Sequence, residues 1–163
     1  MELGLHIIVS IKQQTLSLYE DDRLIKNYPI ATAKNWVGEK IGSECTPRGK
    51  HIIRAKIGQH AKANSVFIAR RQTGEFFNEA LRKQYPNRDW ILTRILWLSG
   101  LEPGRNRLGN VDTMRRYIYI HGCPDADIMG VPSSHGCIKM HNSDVIELYD
   151  RVEAGCVLNI KEE

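Results

Sequence analysis

The chain has 163 residues, of which 42% are hydrophobic and 26% are charged, and this balance excludes a disordered or low-complexity protein. A single core is common at this length, so we expect one domain spanning residues 1–163. The formal net charge of +4 is spread along the sequence; without a basic stripe or block, the pattern argues against a nucleic-acid-binding protein.

Short, alternating apolar segments predict β-strands in the first third of the chain. Polar turns separate the first three segments, and a turn containing Pro and Gly at residues 46–49 precedes the fourth. This pattern is typical of hairpins in a sheet with one solvated face. The predicted strands are residues 7–11, 15–19, 24–30 and 51–57.

A short helix is predicted in the middle of the chain. Apolar side chains recur there at helical spacing, and a proline follows them and stops the helix. The residues that form this apolar face are Phe77, Ala80, Leu81 and Tyr85, followed by Pro86.

The second half of the chain is predicted to contain further strands and long loops. The strands are residues 91–98, 117–120 and 157–160. Loops rich in glycine, proline and serine fill residues 99–110 and 122–136. Loops of this kind often carry functional residues.

A second helix is predicted before the last strand. Asp144 and Glu147 have the spacing of a capping box, and Gly155 fits the C-terminal cap. The apolar face of this helix consists of Val145, Leu148, Tyr149 and Val152.

The chemically informative residues lie in and around the loop at 122–136. A cysteine that follows a glycine in a loop containing histidine, as Cys137 does, has the composition of a thiol nucleophile with its base. Gly136 lets the backbone turn sharply, so that N–H groups can converge on one point as in an oxyanion hole. His135 lies two residues from Cys137, whereas His121 ends a predicted strand, which holds a base more rigidly. We therefore favour His121 as the base.

Two other interpretations of these residues stay open. His121, Cys123, His135 and Cys137 form a Cys₂His₂ set that could bind zinc, although their spacing differs from that of the usual zinc motifs. Cys137 could also be a packed, unreactive thiol, which is the common state of a free cysteine. The glycines, serines and histidines around it argue against an apolar pocket.

The residues His121-Gly122 and 134–138 (Ser-His-Gly-Cys-Ile) together resemble the signature of the L,D-transpeptidase catalytic-domain family (YkuD-like). Residues 46–49 (Thr-Pro-Arg-Gly) resemble its Thr-Pro-x-Gly turn, and residues 142–155 resemble the helix that follows the cysteine. The resemblance implies a mainly β, sandwich-like catalytic fold with one or two short helices. It implies neither a cofactor nor a metal.

The resemblance also implies an activity and roles for the motif residues. Enzymes of this family cleave the bond between the third residue, often meso-diaminopimelate, and the terminal D-Ala of peptidoglycan tetrapeptide stems. Cys137 would form a thioester, His121 would be the base, and the Gly122 carbonyl would hold the His121 ring. The N–H groups of His135, Gly136 and Cys137 would form the oxyanion hole. Carbapenems acylate this cysteine in many members.

Ser134 and Lys139 are the candidate substrate-binding residues. Lys139 stands where members commonly have arginine, so a bidentate grip on a carboxylate becomes a single point charge. Cys123 stands where a small hydroxyl residue is more usual. It is either a neutral substitute or a redox partner able to form a disulfide with Cys137.

The acyl acceptor and the location follow from the N-terminal sequence. No signal peptide is visible there, and no apolar stretch approaches the ~20 residues of a membrane span. We therefore expect a cytoplasmic L,D-carboxypeptidase that acts on muropeptides during recycling. If a leader is missing from the sequence, the alternative is a periplasmic L,D-transpeptidase that forms 3→3 cross-links. The alternative from another class is a non-catalytic zinc or cell-wall-binding module.

Overall fold

The strands of the chain close into a barrel, and one hairpin extends from it. The computed structural model describes residues 4–163. The strands are β1 (Leu5–Ser10), β2 (Thr15–Glu20), β3 (Arg23–Ala31), β4 (Gly49–Ile57), β5 (Ser65–Ile68), β6 (Arg71–Phe76), β7 (Ile91–Gly100), β8 (Tyr119–Gly122), β9 (Ile138–Met140) and β10 (Val157–Lys161). The helices are α1 (Glu79–Gln84) and α2 (Asn142–Arg151), and a single 3₁₀ turn spans Gly109–Val111.

Eight strands follow one another around the barrel in the order β4-β10-β1-β2-β3-β9-β8-β7, and β7 pairs back with β4. The pairs β1–β10 and β8–β9 are parallel, and the other neighbours are antiparallel. Closure leaves the barrel without a free edge. The hairpin β5–β6 is attached outside it, through the pairing of β5 with β7. The expectation of a mainly β fold with one or two short helices is confirmed, and the strands close into a barrel.

Alternating side chains of the strands fill the barrel core, as the sequence pattern requires. In β2, for example, Leu16 and Leu18 are fully buried, whereas Ser17 between them is only partly covered. Helix α2 packs against this core, and its apolar face consists of the residues predicted for it. Those residues are Val145, Leu148, Tyr149 and Val152. No helix among residues 4–163 is long and apolar enough to cross a membrane.

The predicted caps of α2 are wrong. The helix begins two residues before Asp144, its N-cap residue is His141, and no side chain caps it. Asp144 instead lies in the first turn, where a carboxylate interacts favourably with the helix dipole. The C-cap residue is Val152, and Gly155 lies in the turn that leads into β10.

The sequence analysis missed the hairpin β5–β6, which precedes the predicted short helix. Its two-residue turn consists of Ala69 and Arg70, whose φ angles are +47° and +65°. Glycine and asparagine usually occupy such positions, so the sequence lacks the customary signal. The following helix α1 is present, but only Leu81 of its predicted face packs inward, together with Phe77 just before the helix.

Candidate active site

The parallel pair β8–β9 places Cys137, the predicted nucleophile, beside the strand that carries His121, the predicted base. His121 of β8 pairs with Lys139 of β9, so Cys137, which immediately precedes β9, lies level with Tyr119. Side chains two positions apart on a strand share a face, about 7 Å from each other. His121 therefore lies on the face of β8 that Cys137 contacts, one step further along the strand.

The Cys137 thiol is held against the backbone of the segment that leads into β8. Its Sγ accepts a hydrogen bond from the Tyr119 N–H at 3.3 Å and lies 3.4 Å from the Tyr117 carbonyl oxygen, to which the thiol donates. Burial raises the pKa of the Cys137 thiol to about 12, although the Tyr119 N–H and the nearby Arg116 charge both lower it. The thiol is consequently protonated at neutral pH.

The His121 ring is buried and has a defined tautomer. Its Nδ1 lies 2.7 Å from the Gly122 carbonyl oxygen, which is the contact implied by the family resemblance. Since a carbonyl only accepts hydrogen bonds, Nδ1 carries the proton and Nε2 is left as the basic atom. Burial lowers the pKa of His121, and Asp89 and the Gly122 carbonyl oppose this effect. A neutral imidazole at neutral pH is suited to accept a proton.

Gly122 is tightly enclosed, which fixes the carbonyl that holds the base. A Cβ at this position would lie 2.6 Å from the Leu92 carbonyl oxygen. The Asn142 side chain packs on the same residue and accepts a hydrogen bond from the Thr93 hydroxyl at 2.5 Å. No larger residue therefore fits at Gly122 without a shift of the backbone around it.

Ser134 shapes the cysteine loop from within. The side chain is buried; its hydroxyl accepts a hydrogen bond from the Gly136 N–H at 3.1 Å and donates one to the Cys137 carbonyl at 2.5 Å. Ser134 was predicted to bind substrate, but both of its contacts are within the loop. The Gly136 N–H is thereby occupied, so it is not a free oxyanion-hole donor. Within the described chain, no hydrogen bond uses the N–H groups of His135 or Cys137.

The Cys137 thiol faces a groove of about 430 Å³, and a second groove of about 420 Å³ adjoins it. Asp89 and the exposed His135 line both grooves. The first groove is otherwise lined mainly by cationic and aromatic side chains. These are Arg70, Arg116, Tyr117 and Tyr119. A larger cavity of about 560 Å³ beside Trp36 and Arg48 contains none of the predicted site residues.

Lys139 lies in the second groove and is already paired. Its Nζ is 3.1 Å from an Asp127 carboxylate oxygen and 3.2 Å from the Ser133 hydroxyl oxygen, and its side chain is 13% exposed. Asp127 also binds Arg82 at 3.2 Å. The Lys139 charge is therefore balanced within the protein, which weakens its predicted role as a binder of substrate carboxylates.

The proposed disulfide between Cys123 and Cys137 does not fit this fold. Gly122 pairs with Met140, so Cys123 lies four residues further along the strand direction than Cys137, a separation of about 13 Å. Disulfides need Cα atoms within about 7 Å. Cys123 is fully buried, and its thiol donates to the Met140 carbonyl at 3.3 Å. The redox-partner hypothesis is wrong, and the buried thiol is a packing residue.

The zinc interpretation also lacks a site. Across residues 4–163, no three side chains of His, Cys, Asp or Glu lie close enough together to hold a metal ion. The four residues considered for zinc have different surroundings: His121 and Cys123 are buried, while His135 is exposed to solvent.

Three charged residues near Cys137 were not singled out from the sequence: Arg70, Asp89 and Arg116. Arg116 donates to the Cys45 carbonyl at 2.7 Å and to the Gly38 carbonyl at 3.3 Å, and so ties the segment before the Thr-Pro turn to the site. No local motif marks any of the three residues, because barrel closure and the hairpin bring them to the groove.

Comparisons with known proteins agree with this description. The L,D-transpeptidase catalytic domain (YkuD) family matches residues 4–160. The YkuD protein of Bacillus licheniformis is 30% identical over 94% of this chain, which spans 64% of that protein.

Two similar solved structures are L,D-transpeptidase 3 from Mycobacterium tuberculosis with a faropenem-derived adduct and LdtMt1 with imipenem. Their TM-scores are 0.59 and 0.57, at 16% and 15% identity. The alignments cover 98% and 97% of this chain and 60% and 59% of those chains. At such low sequence identity, the structural similarity shows only that the fold is shared.

Proposed function

The chain belongs to the L,D-transpeptidase catalytic domain family, and from this premise we propose that it is a cysteine acyltransferase acting on peptidoglycan stem peptides. The proposed reaction cleaves the bond between the third residue and the terminal D-Ala of a tetrapeptide stem. The observation that supports the proposal is that Cys137, just before β9, lies level with Tyr119 on β8, two residues from His121 on the same strand.

In the first step, the thiol turns from the Tyr117 carbonyl toward His121, whose Nε2 takes the thiol proton as the sulfur attacks the scissile carbonyl. The pKa of the thiol is raised and that of the imidazole is lowered, so the resting pair is neutral. Proton transfer then accompanies attack, as in general-base catalysis. Collapse of the tetrahedral intermediate breaks the C–N bond, and His121 returns the proton to the amine of the departing D-Ala.

The negative charge on the carbonyl oxygen needs donors during this step. The N–H groups of His135 and Cys137 are the candidates, since Ser134 occupies the N–H of Gly136. Donors fixed in the backbone need no reorganisation when the charge develops, which is why they favour the transition state. The Tyr119 N–H meanwhile stabilises charge on the sulfur.

The thioester is resolved by water or by an amine. Water would make the protein an L,D-carboxypeptidase, and an amine of a second stem would give a 3→3 cross-link. The second groove meets the first at His135 and Asp89, and it offers space for an acceptor stem beside the thioester. Hydrolysis, the outcome expected from the sequence, stays a prediction.

The test is to incubate the protein with a disaccharide-tetrapeptide, with and without an acceptor stem. Tripeptide and D-Ala alone indicate a carboxypeptidase, and cross-linked dimers indicate a transpeptidase. We expect Cys137→Ala to abolish both products. The control is Cys156→Ala, which removes a thiol immediately before β10 and should retain both products. Imipenem should add its mass to the peptide that contains Cys137.

Three results would contradict the proposal. If the wild-type protein leaves the tetrapeptide unchanged, the proposed enzymatic activity is refuted. If the Cys137→Ala protein is active, the proposed role of Cys137 as nucleophile is refuted. Stoichiometric zinc with stem binding but no acylation would instead support the non-catalytic module.

A further inference from the structure

We propose that Arg70 and Asp89 select the side chain of the acyl-donor residue, and that this side chain ends in both a carboxylate and an ammonium group, as diaminopimelate does. The inference rests on the proposed function, because the donor is the stem peptide cleaved at Cys137. It identifies two specificity-determining residues outside the motif that carries the family resemblance.

Arg70 is delivered to the groove by the turn of the hairpin β5–β6. Both residues of this turn, Ala69 and Arg70, have positive φ angles, which residues with a Cβ seldom adopt. Conformations of this kind concentrate at functional sites, where the surrounding structure maintains them. Here the unfavourable turn places a cation in the groove that contains the Cys137 thiol.

The Arg70 guanidinium is oriented by aromatic side chains. It lies over the rings of Trp97 and Tyr117, at 4.5 and 5.0 Å from their centroids, and its Nη1 donates to the Tyr119 hydroxyl at 2.9 Å. Among the described residues, Arg70 has no carboxylate partner and makes no second hydrogen bond through its side chain. A planar fork held in this way is suited to bind a carboxylate in bidentate fashion.

Asp89 supplies the opposite charge in the same groove. It forms no ion pair with Arg70 or with any other residue in the described part of the chain. The other charged side chains nearby already have partners within the protein, since Arg116 binds backbone carbonyls and Lys139 binds Asp127. One free cation and one free anion beside the nucleophile are complementary to a zwitterionic group.

Tyr119 links the reacting sulfur to Arg70, because its N–H contacts Cys137 Sγ and its hydroxyl contacts the guanidinium. The far end of a long side chain on the acylated residue can reach a group placed in this way. The carboxylate of the departing D-Ala is common to every tetrapeptide donor, so a contact between it and Arg70 would give no preference among donors that differ only in the third residue.

The experiment compares three tetrapeptides that differ only in the third residue. This residue is meso-diaminopimelate, the same residue with its side-chain carboxyl amidated, or L-lysine. With the wild-type protein we expect kcat/KM for the second and third donors to be about 10- to 100-fold lower, the loss that follows from one charged hydrogen-bonded contact. In Arg70→Gln the three values should converge, and Arg70→Lys should recover part of the preference.

Arg71→Gln is the matched control, because Arg71 is the next residue, is exposed, and does not line the groove. It should keep the wild-type preference. The inference is overturned if the wild-type protein uses the three donors equally, or if Arg70→Gln keeps the preference. The comparison of donors with the wild-type protein does not depend on the folding of any variant.

A binding measurement separates this inference from the proposed function. Calorimetry with the Cys137→Ala protein should show the same order of affinity for the three peptides without any turnover. Failure of the wild-type protein to cleave any tetrapeptide, together with a retained binding preference, would refute the reaction and leave the groove assignment standing. Equal affinities would refute the groove assignment.

Discussion

The Thr46 hydroxyl donates a hydrogen bond to the Gly136 carbonyl at 2.9 Å. Thr46 Oγ1 also accepts a hydrogen bond from the Ala33 N–H at 3.0 Å, and Thr46 is fully buried. One side chain therefore joins the cysteine loop to the end of β3. The Thr-Pro-Arg-Gly turn, recognised in the sequence only as a family likeness, supports the loop that carries Cys137.

Thr46→Val should destabilise the protein by about 2 kcal/mol, because it leaves two buried backbone groups without partners. It should also slow acylation of Cys137, since the loop loses an anchor. Urea unfolding and the rate of imipenem adduct formation measure the two effects. Thr46→Ser keeps the hydroxyl and should retain most of both properties. Equal losses in the two variants would contradict a role for the hydrogen bonds.

Gly136→Ala should abolish activity and destabilise the fold. The φ angle of Gly136 is +130°, and a Cβ there would lie 2.9 Å from Ile118 Cδ1. Gly130→Ala is the control, because Gly130 also has a positive φ but nothing lies within 4 Å of its Cβ position. We expect Gly136→Ala to cost about 1–3 kcal/mol more than the control in unfolding experiments, the usual cost of overpacking. Equal costs would show that strain alone decides the effect.

His121→Ala should lower turnover by roughly 100-fold or more, the contribution expected of a general base. His60→Asn, at an exposed position, should leave turnover unchanged. Steady-state kinetics on the tetrapeptide measure both variants. Comparable losses in the two would show that turnover responds to something other than the base.

The pH dependence of kcat/KM should have an acidic limb set by His121. Burial lowers the pKa of His121, so the imidazole stays neutral down to a pH below its ordinary value of 6.5, and activity is lost as the pH falls through the lowered pKa. The Cys137 thiol, with a pKa of about 12, should show no thiolate at neutral pH. Peptide-resolved alkylation by iodoacetamide should therefore remain slow until strongly alkaline pH. A thiolate that titrates near neutrality would contradict the neutral resting pair.

Stability should fall with acid because of His51, which lies far from the reaction. The ring is fully buried between the Gly49 carbonyl and the Thr113 hydroxyl, and burial lowers its pKa from 6.5 to about 4. A histidine with a depressed folded pKa contributes stability above pH 6.5 that is lost as the pH falls toward 4. The loss is about 3 kcal/mol at most. In urea unfolding, the free energy of unfolding of His51→Gln should fall less between pH 7 and pH 4 than that of the wild-type protein. Equal falls in the two proteins would contradict this prediction.

Sequence patterns predicted the elements whose signals are local. Alternation indicated the strands that fill the barrel, and helical spacing indicated the inward face of α2. The hairpin β5–β6 was not predicted, because its turn consists of Ala69 and Arg70 where glycine or asparagine is usual. The caps of α2 were misplaced because the helix begins without a capping side chain, so the Asp144–Glu147 spacing was a coincidence.

The site was predicted as far as its motif extends. Cys137 and His121 were selected by residue type and position, and their catalytic roles stay predictions; in the fold, Cys137 precedes β9 and His121 lies on the neighbouring strand β8. The Tyr119 N–H carries no sequence signal, since it is a backbone group whose position depends on the parallel pairing of β8 with β9. The loop contacts of Ser134 could not be predicted, because they depend on the backbone path, which residue types alone do not determine.

The hairpin β5–β6 is attached outside the closed barrel, so Arg70 lies on a different structural unit from Cys137 and His121. The barrel and its parallel strands hold the thiol, the imidazole and the residues that support them. The hairpin pairs with one barrel strand, β7, and touches the barrel again where the Arg70 side chain meets Trp97, Tyr117 and Tyr119. Its turn can therefore change without opening the ring of strands. If Arg70 selects the donor as proposed, exchanging this hairpin for that of another family member should change the donor preference and leave acylation of Cys137 intact.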